Sequence, residues 1–344
     1  MIKFDSDYLE GCFPEILRKL EETNFVQTSG YGEDEYCEHA KSVIRNECGA
    51  PDADVHFLVG GTQTNATVIA SLLRPYQGVL CAESGHINVH ETGAIEHCGH
   101  KVIGLPATEG KITASQIAAA LSSHASDASR EHTVQPAMVY ISFSTELGTI
   151  YSLAELKEIS GVCRRYGIPL FIDGARMGYA LMSPACDLTI RDIAALADVF
   201  YLGGTKQGAL FGEAVVFTNA ALARDFRYSI KQNGGMLAKG RLLGIQFSTL
   251  FEEGLYFSAA RKAVLQALRI RKAFEDKGCR FLVDSPTNQQ FPILPNDVIA
   301  ALRTEFSFED WAVVDESHKA VRFCTSWATP DSSVDALISA IGRF

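Results

Sequence analysis

The strongest constraint on the fold is a regular alternation of short apolar runs with helical patterns between Val55 and Phe217. The apolar runs have the length and composition of buried strands. They are His56–Val59, Val79–Ala82, Lys101–Leu105, Ala137–Phe143, Pro169–Asp173, Val199–Leu202 and Glu213–Phe217. Helical patterns such as Ser115–Leu121 and Leu153–Tyr166 separate them. Repeated strand–helix–strand units predict an α/β fold with a mostly parallel sheet covered by helices on both faces.

The regions on either side follow other patterns. Residues 1–50 are predicted to form an N-terminal arm, residues 51–245 the large domain and residues 246–344 a small C-terminal α+β domain. The arm has helical patterns at Pro14–Thr23 and Glu38–Asn46, and polar Ser122–Gln135 is predicted to be a surface loop. In the C-terminal region we expect strands at Arg280–Val283, Gln290–Leu294 and Val321–Thr325, and helices at Asp297–Thr304 and Ser333–Ile341.

Composition excludes several classes of function. The chain has 344 residues, a net charge of −10 and no basic cluster, which argues against binding to nucleic acid or an anionic membrane. There is no leader pattern at Met1–Asp5 and no apolar run of about 18 residues, so neither secretion nor a membrane span is expected. Nine scattered cysteines without a C-x-x-C pair predict neither a disulfide framework nor a metal site, and we expect free thiols in the cytoplasm.

Ionisable groups stand where apolar strands end. Val199–Leu202 is followed by Gly203-Gly204-Thr205-Lys206, and the strand ending at Asp173 is followed by Arg176. Open α/β sheets bind ligands at this edge. A surface turn with Lys206 in water is the alternative, and a P-loop is excluded because the G-K-[ST] ending is absent.

A third strand ends in glycines and hydroxyls. Gly60-Gly61-Thr62-Gln63-Thr64 precedes a helical pattern, an arrangement that presents backbone N–H groups to a phosphate. A phosphate cup, a carboxylate and a lysine are together what pyridoxal 5′-phosphate requires. The three strand ends therefore predict a site for that cofactor, and a generic nucleotide-binding α/β protein is the plainest alternative.

The motifs VGGTQTN (Val59–Asn65), FIDGAR (Phe171–Arg176) and a strand ending in Thr205-Lys206 have matching order and gaps in one family. The chain resembles the threonine aldolases and related β-eliminating lyases from Phe4 to about Ile341. The resemblance implies the aspartate-aminotransferase fold (pyridoxal-phosphate fold type I) and a homodimer or homotetramer with shared active sites. Its low-specificity, phenylserine-aldolase-like branch fits best, because Glu146 and Ser326 stand where many threonine aldolases have histidine.

The resemblance also implies roles for the cofactor site. Lys206 would bind the cofactor aldehyde covalently, and Asp173 would pair with the ring nitrogen. Arg176 would reach the ring's phenolic oxygen or the substrate, although an ion pair with Asp173 is its structural alternative. Gly61 and Thr62 would hold the phosphate, with Thr205 assisting, although a plain helix start explains these residues as well.

Four further residues are implied on the substrate side. His86 would stack on the ring and is a candidate base for the substrate's β-hydroxyl, and Glu146 or a water is the other candidate. Arg322, inside an apolar strand, would bind the substrate carboxylate unless an internal salt bridge occupies it. Ser6 would lie near the substrate, with helix capping or packing as its alternative.

The expected reaction is retro-aldol cleavage of a β-hydroxy-α-amino acid, such as L-threonine, L-allo-threonine or phenylserine, to glycine and an aldehyde. Another lyase performing β-elimination, or an aminotransferase, is the enzymatic alternative on the same scaffold. A cofactor-sensing binding protein is excluded by the absence of a basic DNA-reading region.

Overall fold

A computed structural model describes residues 1–344, beginning with the arm. The arm contains β1 (Ile2–Lys3), α1 (Pro14–Glu22) and α2 (Glu35–Cys48). Pro14 occupies the first turn of α1, where its missing N–H is not needed. Asp34 caps α2 by accepting a hydrogen bond from the Cys37 N–H, and Gly49 ends the helix at φ 61°. Both predicted helices of the arm are therefore confirmed.

All seven predicted strands of the large region are present in one sheet. They are β2 (Asp54–Leu58), β3 (Gln77–Ala82), β4 (Lys101–Leu105), β5 (Gln135–Ser142), β6 (Leu170–Asp173), β7 (Val199–Gly203) and β8 (Glu213–Phe217). Their order is β2-β8-β7-β6-β5-β3-β4. Only β8 runs against its neighbours, so the other six strands end at the same edge, where β8 begins with Glu213.

Helices cover both faces of this sheet, as predicted. They are α3 (Gly61–Leu72), α4 (His86–Val89), α5 (Ala94–His97), α6 (Ala114–Ser126), α7 (Leu153–Tyr166), α8 (Met177–Leu181), α9 (Ile190–Leu196), α10 (Phe226–Gln232), α11 (Arg241–Glu252) and α12 (Leu255–Asp276). Along β5, Val139 and Ile141 pack into one apolar cluster and Met138 and Tyr140 into another. The alternation places a core on each face of the sheet.

One predicted loop is partly wrong. Helix α6 continues to Ser126, and Arg130–His132 forms a 3-10 turn within the segment predicted to be irregular. A capping box between Thr113 and Gln116 begins this helix, and its alanines favour continuation.

The C-terminal region contains a smaller four-stranded sheet of β9 (Gln289–Gln290), β10 (Ile293–Pro295), β12 (Glu309–Val313) and β13 (His318–Cys324), and the helices α13 (Asn296–Leu302) and α14 (Asp331–Ile341). Its remaining strand, β11 (Phe306–Ser307), pairs with β1 of the arm. Arg280–Val283 is not a strand, since only Phe281 makes an isolated bridge, to Pro292. Sequence patterns missed β12, a polar edge strand. No helix of the chain has both the length and the apolar character needed to cross a membrane.

Candidate active site

A cavity of about 560 Å³ lies at the edge where the large-sheet strands end. Nine of the ten predicted site residues line it: Gly61, Thr62, His86, Glu146, Asp173, Arg176, Thr205, Lys206 and Arg322. The tenth, Ser6, instead lines a neighbouring cavity of about 470 Å³, which we call the outer cavity. The Ser6 hydroxyl is buried and has no hydrogen-bond partner. The structure thus brings nine of the predicted residues together and places Ser6 just outside them.

Two glycines allow the strands carrying Asp173 and Lys206 to approach one another. A Cβ on Gly174 would lie 1.8 Å from the carbonyl oxygen of Tyr201, and one on Gly203 would lie 2.5 Å from that of Ala175. No side chain fits at either position without moving the backbone. The close approach brings the 3-10 turn Thr205–Gln207 to the edge of β6.

Asp173 is a buried carboxylate surrounded by donors. Its Oδ1 accepts hydrogen bonds from the Tyr201 hydroxyl at 2.5 Å and the Ala175 N–H at 3.0 Å. Its Oδ2 accepts from the Tyr140 hydroxyl at 2.5 Å and the Asn65 amide at 3.0 Å. Burial acts to raise the pKa of Asp173, but the His86 charge and these donors prevail and lower it. The carboxylate of Asp173 therefore remains negatively charged where it borders the cavity.

Lys206 faces the same cavity with its pKa lowered. Burial is the largest cause, and the Arg176 charge acts in the same direction, while Asp7, Asp173 and Glu213 oppose them. A lowered pKa increases the fraction of neutral amine, which is the nucleophilic form. The alternative that Lys206 lies in a solvated surface turn is excluded by this placement.

Helix α3 begins at the cavity without a side-chain cap. Its N-cap is Gly60, no side chain accepts from its first turn, and both Gly61 and Thr62 line the cavity. The free N–H groups of a first turn and the helix dipole favour an anion such as phosphate. The hydroxyl of Thr205 is already engaged, since it donates to Glu213 at 3.0 Å and accepts from the Gly212 N–H at 3.1 Å.

Arg176 pairs with a residue that the sequence did not single out. Its Nε and Nη2 donate to Asp7 Oδ2 and Oδ1 at 2.8 and 3.0 Å. Asp7 comes from the arm and is fully buried. The alternative partner considered for Arg176, Asp173, makes no ion pair with it.

Arg322 makes internal contacts around its guanidinium. It pairs with Glu309, donates to the Asp5 carbonyl at 2.8 Å and to Gln289 at 3.2 Å, and lies over the ring of Trp311. The internal salt bridge considered from the sequence is therefore present.

A family model described as "Beta-eliminating lyase" matches residues 4–293. The chain belongs to the β-eliminating lyase family. It is 30% identical to the low specificity L-threonine aldolase of a Pseudomonas species, over 98% of this chain and 96% of that protein.

Two solved structures agree with this family assignment. A Leishmania major threonine aldolase superposes with a TM-score of 0.97 at 42% identity, covering 100% of this chain and 99% of that one. An aspartate aminotransferase of Thermus thermophilus superposes with a TM-score of 0.72 at 12% identity, covering 99% and 96%, which shows the shared fold alone. The lyase therefore has the pyridoxal-phosphate fold type I predicted from its sequence, and it is a pyridoxal-phosphate-dependent enzyme.

The residues present fit that cofactor. The uncapped start of α3 offers a place for its phosphate, and the ionised Asp173 offers a partner for its ring nitrogen. The lowered pKa of Lys206 suits covalent attachment of its aldehyde. All three groups border one cavity, so the donor set of the lyase matches the chemistry of the cofactor.

His86 and Glu146 lie together beside this donor set. The Nδ1 of His86 lies 2.7 Å from Glu91, and its backbone N–H donates to Glu146 at 2.9 Å. Burial acts to lower the pKa of His86, but the hydrogen bond to Glu91 and the Asp173 charge prevail and raise it. Burial raises the pKa of Glu146, against the hydrogen bond from Ser142 at 2.7 Å.

Sequence reasoning missed several residues of the lyase's site. Asp7 follows Ser6, which the resemblance did single out, and Tyr140 and Tyr201 lie inside apolar strands where they looked like core. Glu213 opens β8, pairs in register with Gly203 and is buried beside Lys206. Burial raises the pKa of Glu213 to about 8, with the Thr205 hydrogen bond and the Lys206 charge opposing it. The sequence signal that could have identified Glu213 as a site residue is an acid at the start of an apolar strand.

Proposed function

We propose that this lyase cleaves β-hydroxy-α-amino acids of the threonine, allo-threonine and phenylserine type to glycine and an aldehyde. One observation carries the proposal: the amine of Lys206, the carboxylates of Asp173 and Glu146 and the guanidinium of Arg322 border a single cavity. The names of the Pseudomonas and Leishmania relatives support the same activity.

The cofactor would be held by Gly61 and Thr62 at its phosphate, by Asp173 at its ring nitrogen and by Lys206 at its aldehyde. When bound, pyridoxal phosphate supplies an electron sink for the pair released at the substrate Cα. Asp173 supports this chemistry because a carboxylate held ionised by four donors keeps the facing ring nitrogen protonated.

The substrate would be held and deprotonated by residues on the other side of the cavity. Arg322 binds the substrate carboxylate, and Arg176 lines the same cavity. The unpartnered Ser6 hydroxyl belongs to the outer cavity, which Arg322 also borders. Glu146 takes the β-hydroxyl proton, because its raised pKa brings it nearer to neutrality and favours general-base catalysis. His86, tied to Glu91 through Nδ1, is the rival base and the candidate for stacking on the ring.

We also propose an assembly state, a cellular location and a domain division for this lyase. The functional assembly is a homodimer or homotetramer with shared active sites, supported by the 94% exposed Phe25 and the 78% exposed Tyr228. Nine free cysteines support a cytoplasmic location. Residues 1–50, 51–245 and 246–344 are the arm, the cofactor domain and the small domain. Light scattering on the purified protein tests the assembly, and a monomer would reject it.

The activity is tested by incubating the cofactor-loaded protein with L-threonine and with L-phenylserine. The proposal predicts glycine with acetaldehyde or benzaldehyde in equal amounts. A 2-keto acid with ammonia would instead support β-elimination, and a keto acid formed only with an added amino acceptor would support an aminotransferase. The Lys206→Ala variant is the control and is expected to give none of these products.

A further inference from the structure

The arginine proposed to bind substrate already holds a carboxylate. Nη2 of Arg322 pairs with Oε2 of Glu309 and also donates to the Asp5 carbonyl. Nη1 donates to Gln289, whereas Nε is buried and has no hydrogen-bond partner. A carboxylate binds an arginine side-on through two parallel N–H groups. Glu309 therefore occupies one half of the edge formed by Nε and Nη2, and the other half is unused.

Arg176 supplies a comparison within the same chain. Its Nε and Nη2 both donate to Asp7, at 2.8 and 3.0 Å, so the complete two-bond arrangement exists where the pair is permanent and buried. The Arg322 pair lacks the second bond. The difference indicates that the Glu309 contact is a weaker, exchangeable one.

The strand pairing explains how Glu309 reaches Arg322. The two residues face one another in the antiparallel β12/β13 ladder, so their side chains leave the same face of the sheet. β12 is an edge strand with β13 as its only neighbour. The Glu309 side chain is 49% exposed and that of Arg322 only 11%. The Glu309 side chain can therefore turn out into water, while Arg322 stays fixed over Trp311 and needs another carboxylate in exchange.

The pair stands between the two cavities. Tyr8, Glu309 and Arg322 line both the active-site cavity and the outer cavity. A ligand in either cavity borders on the Arg322–Glu309 contact, so the contact is placed where an incoming carboxylate would meet it.

We propose that Glu309 is a displaceable carboxylate that occupies Arg322 until the substrate's own carboxylate takes its place, and that it thereby sets the affinity for amino acids. This inference rests on the proposed function. Exchange of one carboxylate for another conserves the charge beside Arg322, so an amino acid displaces Glu309 at little cost. An amine without a carboxylate gains nothing from Arg322 and leaves the pair intact. Only molecules in which the Arg322–Glu309 pair is open can bind an amino-acid carboxylate. The competition with Glu309 therefore lowers the observed affinity for every amino-acid ligand in proportion to the fraction of molecules in which the pair is closed.

The test compares Glu309→Gln with Asp310→Asn. Both variants remove one negative charge from β12, but Asp310 pairs with Arg303 and Lys319 rather than Arg322. The cofactor-loaded proteins are titrated with glycine, and binding is followed by the change in cofactor absorbance. Removal of the competing carboxylate predicts about three- to tenfold tighter glycine binding in Glu309→Gln and no change in Asp310→Asn. Glu309→Ala, which cannot accept a hydrogen bond from Arg322, should tighten binding as well.

Ethylamine, which lacks a carboxylate, serves as the second ligand and should bind all variants equally. Unchanged or weaker glycine binding in both Glu309 variants would overturn the role of Glu309, as would an equal gain for ethylamine. A wild-type protein whose spectrum does not respond to glycine would reject the proposed function itself, and this outcome is distinguishable from failure of the Glu309 proposal alone.

Discussion

The buried pair between Asp7 and Arg176 should contribute measurably to stability, and Asp7→Asn tests this. Asp7 is fully buried and also accepts a hydrogen bond from Asn288 at 2.9 Å. Burial acts to raise the pKa of Asp7, but the charges of Arg176 and Lys206 lower it from 3.8 to about 2. A shift of that size corresponds to about 2 kcal/mol. Leaving one member of a buried pair without its partner costs about 3–5 kcal/mol, so we expect a loss of the same order.

The loss is measured as a shift in the midpoint of thermal unfolding. Scaling the usual unfolding entropy to this chain length, a loss of about 2–5 kcal/mol lowers the midpoint by about 3–7 °C. Asp335→Asn is the matched control, because Asp335 pairs with Arg269 at the surface, with 60% and 46% of the two side chains exposed. An exposed pair contributes about 0–1 kcal/mol, so the control should shift the midpoint by about 1 °C or less.

The pH dependence gives a second check with a defined sign. The folded-state pKa of Asp7 is lower than its unfolded value, so its stabilisation is complete above about pH 4 and declines as the pH falls toward 2. The difference between wild type and Asp7→Asn should therefore shrink below pH 4. Equal midpoint shifts for Asp7→Asn and Asp335→Asn, or a difference that persists undiminished near pH 2, would refute the reasoning.

Two further substitutions test the site. Tyr201→Phe removes a donor to Asp173 and should weaken cofactor binding about tenfold in a fluorescence titration, whereas Tyr151→Phe, a buried tyrosine bonded to the Ile112 N–H, should leave cofactor affinity unchanged. Glu146→Gln should lower kcat/KM for aldol cleavage by about 10²–10⁴ while leaving the cofactor absorbance intact. Since the pKa of Glu146 is raised, wild-type activity should decline as the pH falls through a value above 4.5, and Glu146→Gln should lack this decline. A wild-type-like rate in Glu146→Gln would assign the base to His86 or water, and unaltered cofactor affinity in Tyr201→Phe would contradict the role of the donors around Asp173.

The large sheet could be predicted because its strands are buried on both faces. Such strands are continuous apolar runs, and the chemistry of a parallel sheet gathers where those runs end. Asp173 therefore stood out as an acid at the end of an apolar run, and Lys206 as a lysine shortly after one. The same rule failed for β12, whose residues are mostly exposed and carry no apolar pattern.

The partners of the site residues could not be predicted in the same way. Asp7 and Arg176 are far apart in sequence, and nothing local in either one specifies the other. Tyr140 and Tyr201 have the pattern of core residues, and only the register of β5, β6 and β7 brings their hydroxyls to Asp173. Such contacts depend on the assembled fold, whereas strand ends depend on neighbouring residues alone.

The central claim is that one lysine of this chain bonds covalently to pyridoxal phosphate. Borohydride reduction of the cofactor-loaded protein makes that bond permanent, and peptide mass mapping then locates the added phosphopyridoxyl group. We predict that it lies on Lys206 and that Lys206→Ala carries none. Labelling of a different lysine, or no labelling at all in a protein that binds the cofactor, would contradict the account.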